Sequence, residues 1–197
     1  MQNRFAFSEQ HFLVMEIKNI NCPIFERVLV TVGTTEFDEL ILLLDAPEFV
    51  DLLETLKCKT LILQYGRGSV PDKLPEICDK QSILYRPFRF QPDLSQEMQK
   101  ADLIISHCGA GSIIEAIDLM KPLIVVVNSS LQGNHQGELS DKLSDGGHCL
   151  ATTTSNLFNR LQQIISCEIE VGSFKRPFPP ADLDLFPAVL NELFNFS

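Results

Sequence analysis

Short, continuous apolar runs alternate along the chain with segments in which apolar residues recur every three or four positions. The runs contain many β-branched residues, which is typical of parallel strands buried on both faces. The predicted strands are Val28–Val32, Thr60–Gln64, Ser82–Tyr85, Leu103–Ser106, Leu123–Val127 and His148–Ala151. The predicted helices are Phe37–Leu44, Pro47–Lys57, Leu94–Lys100, Ser112–Met120, His135–Leu143 and a segment from Thr154 or Ser155 to Ile165. This alternation predicts an α/β fold with one Rossmann-like, doubly wound parallel sheet that binds ligands at the carboxyl ends of its strands.

The two ends of the chain do not share this alternation. Residues 1–26 show no clear period, and we expect an N-terminal extension of unknown structure there. The alternating region, residues 27–166, is predicted to be the ligand-binding domain. Residues 167–197 form a C-terminal tail, in which Leu185–Phe196 carries the apolar stripe of an amphipathic helix. That helix is expected to pack on the domain, and a surface for a partner is the alternative.

Composition narrows the classes of function. Hydrophobic residues make up 45% of the chain and charged residues 21%, as in ordinary globular proteins. The formal net charge of −10 argues against nucleic-acid binding, which needs clustered Lys and Arg, but it does not exclude a single nucleotide. The sequence has no apolar stretch of roughly 18 residues, so no direct membrane span is expected. The six cysteines are scattered without a C-x-x-C pair, and no metal site is predicted.

The most informative segment is Ala101–Ser112, which reads A-D-L-I-I-S-H-C-G-A-G-S. An apolar strand here enters a glycine-rich turn that begins a helix. Such a turn directs free backbone N–H groups and the positive helix end above the strand, where a phosphate or diphosphate binds. This favours a ligand at His107–Ser112 over the alternative that Gly109 and Gly111 serve only close packing.

Glu115 has two interpretations. With Ser112 it fits the capping-box pattern S-x-x-E, in which the carboxylate is structural. A carboxylate one turn into this helix is equally well placed to accept hydrogen bonds from ribose hydroxyls. The pattern favours neither interpretation.

Two further polar segments follow predicted strands. Gly33-Thr34-Thr35 comes directly after the first strand and is interpreted as facing a phosphate or the reaction cleft, with a helix cap as the alternative. The loop after the fifth strand contains hydrogen-bonding side chains that favour recognition of sugar hydroxyls, and a plain polar loop is the alternative. Those side chains are Asn134, His135, Gln136 and Glu138. Arg67 lies between two glycines and is typical of a surface residue or of a flexible cation near a diphosphate.

Other known motifs do not fit the glycine-rich turn. A dinucleotide fingerprint requires a third Gly or Ala where Ile114 stands, and this argues against a nicotinamide-dependent oxidoreductase. The Walker P-loop and the nucleophile elbow G-x-S-x-G are absent from the sequence. Cys108 and His107 are adjacent at a strand end and so point in opposite directions, which argues against a catalytic thiol pair.

Four motifs occur in order and carry a resemblance to a known family. They are V-T-V-G-T-T-E-F-D-E-L at 30–40, L-I-L-Q-Y-G-R-G at 61–68, the segment at 101–112, and N-H-Q-G-E-L at 134–139. Together they resemble the soluble, donor-binding subunit of the eukaryotic UDP-N-acetylglucosamine transferase that extends GlcNAc-diphospho-dolichol. The sequence is also similar to the C-terminal domain of the bacterial GlcNAc transferase that forms lipid II. Residues 1–26 depart from the family as an extension, and Cys108 stands where Ala is common.

The resemblance implies a single GT-B half that binds UDP-GlcNAc as donor substrate, with no other cofactor and no metal. It implies a membrane-anchored, acceptor-binding partner subunit and a cytoplasmic location, with recruitment to the cytosolic face of the endoplasmic reticulum. By position, the diphosphate would lie against His107, Gly109, Ala110, Gly111 and Ser112. The ribose would meet Glu115, the GlcNAc would face Asn134, His135, Gln136 and Glu138, and Gly33, Thr34 and Thr35 would line the cleft.

The implied reaction is an inverting glycosyl transfer that adds a second GlcNAc to GlcNAc-diphospho-dolichol. No general base is identified in this chain, and the resemblance assigns it to the partner subunit. A non-catalytic regulatory module that binds a nucleotide sugar is the alternative function.

Overall fold

The computed structural model describes residues 22–128 and 135–178, with the backbone alone for 135–138. Six parallel strands form one sheet in the order β3-β2-β1-β4-β5-β6. They are β1 Arg27–Thr31, β2 Thr60–Gln64, β3 Leu84–Phe88, β4 Leu103–His107, β5 Leu123–Val127 and β6 Leu150–Thr153. The predicted α/β fold with a doubly wound parallel sheet is confirmed, and the order is that of a Rossmann fold.

Seven α-helices connect or follow these strands in the part of the chain that is described. They are α1 Asp38–Leu44, α2 Pro47–Thr55, α3 Leu74–Lys80, α4 Ser95–Lys100, α5 Ala110–Asp118, α6 His135–Asp145 and α7 Leu157–Ile165. Short 3-10 turns occupy Thr154–Asn156 and Val171–Phe174. None of these described helices combines the length and the apolar character that crossing a bilayer requires.

The helices cover both faces of the sheet and create two hydrophobic cores. Val28 and Val30 of β1 point to the core that α1, α2, α3 and α7 cover. Leu29, between them, points to the core that α4, α5 and α6 cover. All three side chains are fully buried. Because both faces of β1 are covered, Val28, Leu29 and Val30 form a continuous apolar run instead of an alternating pattern.

Several elements differ from the sequence predictions, and α3, β3 and β6 are among them. Helix α3 has only seven residues and was not predicted from the sequence. Strand β3 begins two residues later than expected and continues through Pro87, which an edge strand tolerates because one side of its backbone has no neighbour. Strand β6 begins at Leu150, two residues after the predicted start. Residues 1–21 and the predicted helix Leu185–Phe196 lie outside the described residues, and the division into extension, domain and tail stays a prediction.

Candidate functional site

The strand order reverses between β1 and β4, so the loops that follow these two strands leave the sheet toward opposite sides. In open α/β sheets ligands bind in the crevice at this point, outside the carboxyl ends of the strands. The turn after β1 begins at Gly33, and β4 ends at His107. The two meet closely, since a Cβ atom on Gly33 would lie 2.8 Å from Cε1 of His107. The structure therefore brings together two of the segments that the sequence analysis selected.

The His107 ring explains why two of the glycines are needed. It lies between Gly33 and Gly109, and a Cβ atom on Gly109 would come within 2.6 Å of Cε1 and overlap Nε2. Gly33 also has a φ of +62°, a conformation that side-chain-bearing residues rarely adopt. By position in the family, Gly109 is predicted to contact the diphosphate. The structure shows that its missing side chain makes room for the imidazole.

The environment of His107 disfavours the charged form of its ring. Burial lowers the pKa of His107, and the backbone of Thr31 beside the ring partly offsets this effect. Nδ1 is buried and has no hydrogen-bond partner of regular geometry among the described residues. An anion placed beside this ring would act against burial and raise its pKa.

The N-terminus of α5 is open. Its N-cap is Gly109, no side chain caps the first turn, and the first turn contains no acidic residue. Ala110 and Gly111 are exposed, and a Cβ atom added to Gly111 would meet no other atom within 4 Å. Uncapped N–H groups and the helix dipole together favour an anion here. The backbone here offers a free helix N-terminus, and the binding of a phosphate to it stays a prediction.

The capping-box interpretation of Ser112 and Glu115 is wrong. Helix α5 begins at Ala110 instead of at Ser112, so Ser112 is already its third residue and cannot be the N-cap. Glu115 is half-buried in the second turn, and the structure gives it no capping role. Its predicted contact with a ribose stays a prediction.

A short hydrogen-bond chain holds the turn after β1. The Gly33 N–H donates to Oγ1 of Thr31 at 3.0 Å, and this hydroxyl donates to Oε1 of Gln64 at 2.6 Å. The hydroxyl of Thr35 donates to the Val32 carbonyl at 2.8 Å and is used within the turn. Thr34 is exposed and lines an adjoining cleft, so it is the hydroxyl of this turn that is available to a ligand.

That cleft has a volume of about 270 Å³ and lies beside the turn, above β1, β2 and β3. Its wall is formed by Thr34, Gly66, Arg67, Arg89 and Phe90. Arg89 donates to the Gly66 carbonyl at 3.1 Å, and its guanidinium lies 5.2 Å from the centre of the Tyr65 ring. Within the described residues neither Arg67 nor Arg89 forms an ion pair. In a chain with a formal net charge of −10, two unpaired cations facing one cleft favour an anionic ligand.

Arg89 and Phe90 are not predicted from the sequence as site residues. Both follow β3, whose end the sequence pattern placed three residues too early, at Tyr85. The ring of Phe90 is 56% exposed, which is unusual for phenylalanine and leaves it accessible from the cleft. The strand order places the end of β3 beside the ends of β2 and β1, and the sequence pattern alone does not show this.

The predicted sugar-binding side chains, Asn134, His135, Gln136 and Glu138, lie partly outside the described residues. Asn134 is among the residues not described, whereas His135, Gln136 and Glu138 belong to the first turn of α6. This helix follows β5, the neighbour of β4, so its first turn lies at the same edge of the sheet. The role of the four side chains toward a sugar stays a prediction. Among the described residues, no group of three or more His, Cys, Asp or Glu is arranged to hold a metal ion.

The chain is similar to one protein family and to several named proteins. The model of the glycosyltransferase family 28 C-terminal domain matches residues 27–168. The human UDP-N-acetylglucosamine transferase subunit ALG13 is 45% identical over 126 residues, which are 64% of this chain and 11% of the human protein. The subunit of the same name from Candida glabrata is 31% identical over 154 residues, covering 62% of this chain and 78% of the yeast protein. This chain thus spans about a tenth of the human relative.

The fold agrees with a solved structure. An NMR structure of ALG13 superposes with a TM-score of 0.58 at 24% identity, covering 85% of this chain and 96% of that one. The family match over most of the chain and the yeast relative agree with each other. The chain therefore belongs to the glycosyltransferase family 28 C-terminal domain family, and within it to the ALG13 group.

Proposed function

We propose that this chain is the donor-binding subunit of a glycosyltransferase that adds the second GlcNAc to GlcNAc-diphospho-dolichol. The observation that carries the proposal is the open N-terminus of α5, which faces the Gly33 turn at the reversal of the sheet. Relatives named as UDP-N-acetylglucosamine transferase subunits support UDP-GlcNAc as the donor. The word "subunit" in those names supports a partner protein, which we propose is membrane-anchored and recruits this chain to the cytosolic face of the endoplasmic reticulum.

The geometry supports one direction for the donor. A diphosphate over the first N–H groups of α5 leaves one end of the ligand toward β5 and α6, and the other toward β2 and β3. We assign the GlcNAc to the α6 side, where Asn134, His135, Gln136 and Glu138 follow β5. The nucleoside then extends toward the cleft that Phe90 and the two arginines line. Glu115, one turn into α5, is assigned to the ribose.

The reaction separates a sugar from a diphosphate. The acceptor hydroxyl attacks the anomeric carbon, the bond from that carbon to the diphosphate oxygen breaks, and UDP leaves with the electron pair. Negative charge therefore grows on the oxygens nearest the N-terminus of α5. Fixed N–H groups aimed at those oxygens bind the transition state more strongly than the ground state. The diphosphate also raises the proton affinity of His107, so its ring can carry a balancing positive charge.

No group among the described residues is assigned as the base that takes the acceptor's proton. A GT-B enzyme closes a cleft between two domains of this kind, and the described residues contain one such sheet. We therefore assign the base and the acceptor-binding surface to the partner subunit.

The experiment measures transfer with and without that partner. Purified alone, the chain is expected to bind UDP-GlcNAc but to transfer no detectable GlcNAc to GlcNAc-diphospho-dolichol. Addition of membranes that contain the partner is expected to give disaccharide product. Robust turnover by the chain alone would contradict the assignment of the base and the acceptor-binding surface to the partner subunit. Donor binding without product in the presence of the partner would indicate a non-catalytic binding module instead.

A further inference from the structure

Two of the motifs that identify the family lie about thirty residues apart, and the structure joins them through one side chain. Asp38, the first residue of α1, accepts a hydrogen bond from the Ser69 N–H at Oδ1, at 2.7 Å. Its other oxygen, Oδ2, accepts one from the Ser69 hydroxyl at 3.0 Å. The carboxylate therefore holds both the backbone and the side chain of Ser69, which lies in the loop between β2 and α3.

The first part of this loop, Tyr65–Ser69, also contacts the turn after β1. The Arg67 N–H donates to the Thr35 carbonyl at 2.9 Å. Gly66 has a φ of +62°, and a Cβ atom there would overlap the Thr35 carbonyl. A Cβ atom on Gly68 would overlap Oδ1 of Asp38 and lie 3.4 Å from Cγ. Both glycines are buried and lack side chains because the β1 turn and Asp38 occupy the space.

This arrangement fixes the backbone of Arg67 and leaves its side chain free. Arg67 is exposed, has no ion-pair partner within the described residues, and lines the cleft together with Thr34. Arg89 depends on the same loop, since it donates to the Gly66 carbonyl. Asp38 itself does not line the cleft. Its carboxylate acts on the cleft through the loop.

We propose that Asp38 is a positioning residue for donor binding, which holds the loop Tyr65–Ser69 so that Arg67 presents its guanidinium to the nucleotide. The inference rests on the proposed function, because it requires a nucleotide in the cleft beside Thr34. It explains why F-D-E-L in the first motif accompanies G-R-G in the second. The aspartate supplies the two acceptors, and the glycines allow the close approach.

The first test titrates UDP into the full-length chain and its variants. Asp38→Ala removes both acceptors and is expected to raise the Kd for UDP about tenfold, the weight of one hydrogen bond to a charged group. Asp38→Asn keeps an oxygen for the Ser69 N–H and is expected to stay within about threefold of the wild type. Asp51→Ala is the matched control, since Asp51 is an exposed aspartate on α2 whose carboxylate forms no hydrogen bond or ion pair among the described residues. It is expected to change nothing.

The second test asks whether Asp38 acts through Arg67. In the Arg67→Ala background, Asp38→Ala is expected to weaken UDP binding by less than about twofold further, because the positioned group is already absent. In the assembled transferase, Asp38→Ala is expected to raise the donor KM while kcat changes little. If Asp38→Ala does not fold, Ser69→Ala replaces it. This variant is expected to weaken UDP binding about threefold, and the effect is expected to disappear in the Arg67→Ala background.

Each outcome has a separate meaning. Additive losses in the double variant, or equal UDP affinity for wild type and Asp38→Ala, would overturn the positioning role and leave the proposed function intact. A wild-type chain that binds no UDP at all would contradict the proposed function itself.

Discussion

At the scale of single residues, Gly111 separates phosphate binding from folding. The position is helical and exposed, and a new side chain there would meet no other atom within 4 Å. Gly111→Asp is therefore expected to fold with wild-type stability, because a carboxylate in the first turn of a helix is favourable. The same carboxylate would stand where the diphosphate binds. We expect UDP-GlcNAc binding and transfer to be lost, as measured by titration and by the assay with the partner.

Gly111→Ala provides the control for this substitution. It adds a methyl group without charge, so UDP binding is expected to weaken far less than in Gly111→Asp, and the thermal midpoint is expected to stay at or slightly above that of the wild type. If Gly111→Asp transferred GlcNAc at the wild-type rate, the anion would have to bind elsewhere than at α5.

Single residues also show what cannot be inferred from the sequence, namely which neighbour requires each glycine. The glycines at 33, 109 and 111 were all selected from the pattern, but the structure divides them. Gly33 and Gly109 make room for the His107 ring, and only Gly111 is open to a ligand. Gly33 and His107 are separated by more than seventy residues, so no local pattern reveals that they meet. A sequence motif shows that small residues are needed and does not show which neighbour needs them.

At the scale of elements, Glu97 ties α4 to the sheet. It pairs with Arg27 of β1 at 2.7 Å and lies 3.6 Å from Arg86 of β3. The hydrogen bond from Arg27 holds the pKa of Glu97 below its ordinary value of 4.5, although burial opposes this shift. A carboxylate with a lowered pKa stabilises the fold at pH values above its unfolded pKa. The stabilisation is lost as the pH falls through the folded pKa.

Glu97→Gln is accordingly expected to lower the free energy of unfolding by about 1–2 kcal/mol at neutral pH. Below pH 4.5 the difference from wild type should shrink and then vanish, because the wild-type carboxylate becomes protonated as well. Urea unfolding between pH 3 and pH 7 measures this dependence. Glu76→Gln is the control, since its pair with Lys80 is an exposed pair within α3. A constant difference at every pH would show that Glu97 contributes only through packing.

Elements with a strong local signal were predicted well. The buried strands β1, β2, β4 and β5 were predicted with at most one residue of error at each end, because a continuous apolar run needs no knowledge of its neighbours. Helix α3 and strand β3 were missed or misplaced, since one is very short and the other is an exposed edge strand with Pro87 inside it. The start of α5 was misjudged because glycine served as its cap where serine was the expected residue.

At the scale of the whole molecule, the proposed ligand connects the two halves of the sheet. Within the sheet the halves are joined by the pairing of β1 with β4, and the diphosphate would bridge the loops after both strands. A ligand that binds the folded chain alone stabilises it by about 2.7 kcal/mol at one hundred times its Kd. For a chain of this size that is roughly 5–11 °C in the thermal midpoint.

We therefore expect UDP to raise the thermal midpoint of the wild-type chain in this range, measured by calorimetry or by fluorescence of a reporter dye. UMP should raise it less and uridine least at equal concentration, since the helix end binds the phosphates. Gly111→Asp should abolish the UDP shift without changing the midpoint of the free protein. Asp38→Ala should reduce it, because the nucleoside side of the site would be loosened while the phosphate side is kept. Equal shifts with uridine and UDP would show that the binding energy comes from the cleft and that the N-terminus of α5 does not bind the phosphates.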